Sequence, residues 1–113
     1  MAVADIVGSL SLSGENAREI SDAVVCLEDT TEADAASVVL ARAECRPGPA
    51  GARTVRFRLS VPDHLLAEGR QYSLSARAKV ESGARSKVFG TVQSYPVDHR
   101  GAGITDLELR EMD

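Results

Sequence analysis

Apolar and polar residues alternate with a period of two through much of this chain, the pattern of strands with one face buried and one in water. The alternation is cleanest in two runs. From Arg53 to Val61, Val55, Phe57, Leu59 and Val61 face inward and Arg56, Arg58 and Ser60 face water; after Tyr72, the residues Leu74, Ala76, Ala78 and Val80 oppose Ser73, Ser75, Arg77 and Lys79. The connection between the runs carries Leu66, Gly69 and Tyr72 at the spacing of a tyrosine corner, the device that crosses between the sheets of a Greek-key sandwich. In that arrangement Leu66 packs under the crossing, Gly69 permits the turn, and Tyr72 returns its hydroxyl to backbone near Asp63 to Leu66. Glu68 stands where proline is common.

The rest of the chain supplies further short strands. Asp5 to Ser13 places Ile6, Gly8, Leu10 and Leu12 on one face, with Gly8 marking a bulge or a close approach of backbone. The polar stretch GENAREISD is a connection with room for one helical turn. Asp22 to Asp29 is apolar on both faces until Glu28, which predicts a central strand covered on both sides at its start. Thr30 to Ala36 reads as a loop held by Asp and Thr side chains. Ser37 to Cys45 fits either a short helix capped by Asp34 or a strand; β-branched Val38 and Val39 at its start and Pro47 just beyond favour the strand.

Arg46 to Ala52, with two Pro and two Gly, is a loop. Ser82-Gly83 predicts a hairpin. Ser86 to Ser94 is a strand interrupted by Gly90, and Tyr95, Pro96 and Val97 form an edge or strand end, because proline cannot donate to a ladder. After the loop DHRGAG, Ile104 to Arg110 points Leu107 and Leu109 inward. These elements predict an all-β fold: one domain over residues 1–113, a Greek-key-like antiparallel β-sandwich of seven or eight short strands.

Composition narrows the picture. A 113-residue chain is long enough to bury a core without staples. It has no Trp, two Phe and two Tyr, so the filling is aliphatic and thin, as between two packed sheets. Cys26 and Cys45 each sit in a strand pattern as small hydrophobes, and their pairing cannot be read from spacing. No stretch has the length of a membrane span, and the first residues lack the basic, apolar and small-residue segments of a leader. As written the chain reads as soluble, either cytoplasmic or the envelope-side remainder of a protein whose lipidated leader has been removed, with membrane association only in the second case.

The net charge of −4 argues against non-specific nucleic-acid binding, yet charge is uneven: Arg42 to Lys87 holds 10 of the 13 basic residues and carries +6, and the remainder carries −10. Two readings follow. Basic and acidic strands pair across the sheet, or Arg56, Arg58, Arg77 and Lys79 form one cationic outer face for an acidic protein partner, if their two strands share a sheet.

Chemistry of other kinds is sparse. His64 and His99 each follow an aspartate, as in an orienter and base pair, but both fall in turns with no nucleophile elbow and no third ligand at zinc spacing. The carboxylates Glu28, Asp29, Glu32 and Asp34 lack the Gly and the final bidentate Glu of a calcium loop. Glycines occur singly, without a phosphate cradle. Catalytic, cofactor-binding and metal-binding residues are therefore not expected. The alternative is an accessory sandwich that binds a saccharide or small ligand on one sheet; Tyr95 is its one candidate aromatic platform.

The ordered motifs resemble the YbaY/YscW family, the type III secretion system lipoprotein chaperones or pilotins and related envelope lipoproteins. The resemblance rests on Val7-Gly8, Ala23-Val24-Val25-x-Leu27-Glu28-Asp29, Ala33-Asp34-Ala35, Phe57-x-Leu59, Tyr72-x-Leu74-x-Ala76-x-Ala78 and Tyr95-Pro96-Val97, and it spans nearly the whole chain. It implies a β-sandwich without catalytic residues, commonly anchored by a lipidated N-terminal Cys, and a non-enzymatic binding or chaperone-like task. No Cys opens this sequence.

Overall fold

Among the described residues the inward alternation is satisfied by eight strands: β1 Val3–Leu12, β2 Ile20–Asp29, β3 Val38–Cys45, β4 Thr54–Pro62, β5 Tyr72–Ser82, β6 Arg85–Gly90, β7 Tyr95–Val97 and β8 Asp106–Glu111, with a 3-10 turn at Asp63–Leu65. The computed structural model describes residues 3–13, 20–31, 37–45, 54–82, 85–100, 103 and 105–112. Of the connection expected over 14–22, Ile20 to Asp22 belong to β2 and 14–19 lie outside the described residues, as do Asp34 and the rest of its loop beyond Thr31, the Pro- and Gly-rich loop, Gly83 and Ile104.

The strand path is β3-β2-β5-β6-β8-β1-β4, and β7 pairs with the start of β5. The path is a sandwich joined along one side: β6 and β8 share only the pairs Phe89↔Glu111 and Gly90↔Arg110. Its two ends, β3 and β4, pack side by side without pairing, so the sheet closes almost into a barrel. Pairing among the described strands is antiparallel except between β1 and β8, which run parallel from Ser9↔Asp106 to Leu12↔Leu109.

The core is built from the inward positions of every strand, among them Ile6, Leu10, Val25, Leu27, Phe57, Leu59, Val61, Leu74, Val80, Leu107 and Leu109. No polar or charged residue is buried among those described. Burial of apolar side chains, each worth about 1.5–3 kcal/mol when fully removed from water, therefore holds the sheets together, and polar groups are confined to the rims and outer faces.

Several boundaries differ from expectation. β2 begins at Ile20, which is buried; the preceding polar residues hid the start of the strand. β2 is central, between β3 and β5, but beyond Ile20 only Ala23, Val25 and Leu27 are buried, whereas Val24 and Cys26 are half-exposed on the outer face. Ser37 to Cys45 is a strand, with a bulge opposite Leu27/Glu28 that turns Leu40 as well as Ala41 toward the core. The run from Ser86 stops as a strand at Gly90, where the Thr91 amide donates to the Ala76 carbonyl at 3.1 Å and the chain leaves the ladder.

Gly8 resolves its two readings. The β1–β4 register passes through Gly8↔Phe57 without a shift, so there is no bulge; a Cβ there would collide with the Thr105 carbonyl oxygen and the Phe57 ring. The neighbouring Ser9 amide donates to that same carbonyl at 3.0 Å. The glycine lets the backbone before β8 lie directly on β1.

Candidate functional site

The corner between β4 and β5 positions one end of the molecule. Tyr72 is 1% exposed, and its hydroxyl accepts a 2.7 Å hydrogen bond from the Ala67 amide while lying 3.4 Å from the Ala67 carbonyl and 3.5 Å from that of Leu65. The return contact is thus centred one residue beyond the expected Asp63 to Leu66. Gly69 has φ +87°, a left-handed conformation that costs other residues strain, and Leu66 packs half-buried against the core.

This corner is tied to the end of β2. Arg70 Nε donates to Asp29 at 2.7 Å. Thr31 donates its amide and hydroxyl to the other Asp29 oxygen at 3.0 and 2.6 Å, and the Gln71 amide donates to Thr31 Oγ1 at 2.9 Å. The Arg70 guanidinium and the Thr31 donors hold the Asp29 carboxyl down at about 2. A hollow of about 480 Å³ beside the corner is lined by Thr30, Arg70, Gln71, Ser94 and Pro96, several of which are engaged in this lock.

Tyr95 is no platform. It is 4% exposed, and its hydroxyl accepts from the Glu108 amide at 3.0 Å; alternation in the short strand β7 turns it inward with Val97 and leaves Pro96 outside. A saccharide surface built on Tyr95 is thereby removed. His64 lies exposed in the 3-10 turn and His99 half-exposed in the loop after β7. Among the described residues no three His, Cys, Asp or Glu side chains converge to hold a metal. Cys26 and Cys45 are free thiols, each pushed up in pKa by burial.

The four cations singled out in the sequence do not form one face. Arg56 and Arg58 stand on β4, which pairs with β1; Arg77 and Lys79 stand on β5, which pairs with β2, β6 and β7. The two strands belong to opposite sheets because the corner crosses between them. Arg58 is neutralised where it stands: its guanidinium donates to Asp5 at 2.6 Å, Ser60 donates to the other oxygen at 2.8 Å, and these two hydrogen bonds lower the Asp5 pKa.

Arg77 and Lys79 are instead joined by Arg42 of β3. The registers explain the grouping. Val24 lies opposite Arg77 on one side and Glu44 on the other, Cys26 lies opposite Arg42, and Lys79 lies between Asp22 and Val88. All these side chains share the outer face of β3-β2-β5-β6, since they alternate with the buried positions. An open cleft of about 230 Å³ on this face is lined by Val24 and Val88 together with Arg42, Arg77, Lys79, Asp22 and Glu44. A second hollow of about 260 Å³, lined by Glu28, Ser75, Thr91 and Met112 among others, continues past Arg77 on the same face.

Each cleft is smaller than the roughly 300–1,000 Å³ of small-molecule sites, and both are open hollows on a sheet face. Arg42 reaches Glu44 only at 3.8 Å, while among the described residues Arg77 and Lys79 make no ion pair. Sequence reasoning missed Arg42, Val24 and Val88; the outward alternation of Arg42 is visible, but that it lines one cleft with Arg77 across β2 depends on strand order. Among the described residues, no helix is long and apolar enough to cross a membrane.

Comparison with known proteins adds the following. The family model described as type III secretion system lipoprotein chaperone (YscW) matches residues 4–109. A solved structure of an alternative pilotin from the type II secretion system of Vibrio cholerae is similar in fold, with a TM-score of 0.77 and 23% sequence identity over 99% of each chain. Among curated proteins, none matches.

Proposed function

Because the chain belongs to the YscW family of type III secretion system lipoprotein chaperones, we propose that it is a non-enzymatic, chaperone-like module that binds a protein component of a secretion apparatus. The observation that carries this reading is the family match, which runs from β1 into β8 and so takes in the whole sandwich. The fold shared with an alternative pilotin supports the same reading at the level of architecture. The site chemistry supports it too: the described residues offer open hollows of mixed apolar and charged character, the composition of a protein-recognition surface.

The test is direct. The purified protein is immobilised and presented with the individually expressed components of the secretion systems encoded in its own genome. Retention of one component in a saturable, stoichiometric manner is expected; retention of none would overturn the reading.

A further inference from the structure

We propose that the outer cleft of β3-β2-β5-β6 docks an acidic amphipathic segment of the protein partner, with its carboxylates on Arg42, Arg77 and Lys79 and an apolar side chain set against Val24 and Val88. The inference rests on the binding role proposed above and assigns that role a surface and a partner chemistry.

Three observations carry it. First, charge on this face is left over. On the opposite sheet Arg58 is matched by Asp5 at 2.6 Å, which leaves Arg56 as a single cation without an ion pair there among the described residues, and on β6 Lys87 is matched by Glu111 at 3.1 Å. Arg77 and Lys79 stand two apart on one strand without an ion pair among the described residues, and Arg42 has only the 3.8 Å approach of Glu44.

Second, apolar surface lies among these cations. Val88 is 43% exposed and Val24 half-exposed, in a recess of about 230 Å³ between the charged side chains. An apolar centre with a charged rim is the layout of a protein-binding surface, where the centre supplies affinity and the rim supplies orientation. Outward valines at these two positions do nothing for the core.

Third, the recess and its neighbours select the class of ligand. Asp22 and Glu44 also line the cleft, and the chain as a whole carries −4. A planar anionic membrane would meet these carboxylates together with the cations. A polypeptide segment can place its acidic groups on Arg77 and Lys79, avoid Asp22 and Glu44, and set one apolar side chain against Val24.

The experiment uses the whole chain and two probes. One is a fluorescent amphipathic peptide with glutamates flanking a leucine stripe, alongside the same peptide with every Glu changed to Gln or to Lys. The other is vesicles of phosphatidylglycerol, compared with vesicles of phosphatidylcholine. Binding is followed by anisotropy and by co-sedimentation, for the wild type, for Arg77→Glu with Lys79→Glu, for the milder Arg77→Gln with Lys79→Gln, and for Arg56→Glu on the opposite sheet, all confirmed to melt near the wild-type temperature.

The expected result is binding of the Glu peptide that weakens about tenfold or more in the double reversal, less in the Gln pair, and less than about twofold in Arg56→Glu, as two or three exposed pairs allow. Binding should also fall as salt shortens the Debye length from about 10 Å at 0.1 M to about 3 Å at 1 M. Equal binding of Glu, Gln and Lys peptides, no peptide binding, or a preference for phosphatidylglycerol vesicles overturns the proposal. If the reversal variant still captures the secretion component as the wild type does, the surface is wrong and the function stands; if neither protein captures it, the functional reading itself fails.

Discussion

The Ala67 amide donates a 2.7 Å hydrogen bond to the Tyr72 hydroxyl, and this contact fixes the crossing from one sheet to the other. Tyr72 is buried, so removing its oxygen strands the Ala67 amide at the edge of the core. Tyr72→Phe is expected to cost about 1–2 kcal/mol, the penalty of an unsatisfied donor. Urea unfolding measures it, and a midpoint unchanged within error would show that water takes over the role of the hydroxyl.

Gly8 is the point where β1 admits the backbone before β8, since a Cβ there meets the Thr105 carbonyl and the Phe57 ring. Relief requires backbone to move. Gly8→Ala is expected to destabilise by about 1–3 kcal/mol, the usual range for overpacking, and to loosen β8. Hydrogen exchange at the Ser9 amide, which donates to Thr105, should accelerate; an unaltered rate would mean the two segments separate at no cost.

The legibility of this fold in the sequence was uneven, and the reasons are physical. Period-two alternation in β4 and β5 predicted every inward residue of those strands, because each has one face in the core and one in water. The Leu66, Gly69 and Tyr72 spacing located the crossing between sheets. Alternation says nothing, however, about which strands are neighbours. The placing of Arg42 and Arg77 on one cleft, on either side of β2, and the separation of Arg58 from both are properties of strand order, which is set by long-range closure. Tyr95 was misread as exposed because a three-residue strand has too few positions to declare its phase.

Acid should weaken the molecule through its two locked carboxylates. Asp29, held at about 2, below the ordinary range of a carboxyl, and Asp5, also lowered, bind protons more readily when unfolded than when folded. A depressed native pKa gives stability that is complete above the unfolded value and lost as pH falls through the native one. The melting temperature is therefore expected to drop between about pH 4 and pH 2. Asp29→Asn should flatten part of that drop; an equally steep profile in the variant would assign the acid sensitivity elsewhere.

The two thiols should be sluggish. Burial raises both above their ordinary range, and the thiolate is the reactive form. Alkylation at neutral pH is expected to be slower than for free cysteine, with half-exposed Cys26 reacting before buried Cys45. Mass spectrometry of the partly labelled protein gives the order, and simultaneous labelling of both would point to global opening.

The central claim is that this sandwich binds a secretion-apparatus component, through the Arg77 and Lys79 face. The most direct measurement is the affinity of one such component, identified by retention on the immobilised wild type, for the wild type, for Arg56→Glu and for Arg77→Glu with Lys79→Glu, by isothermal titration at low salt. Equal affinity is expected for the first two proteins and a loss of about tenfold or more for the third. Failure of every component to bind the wild-type protein would contradict the claim.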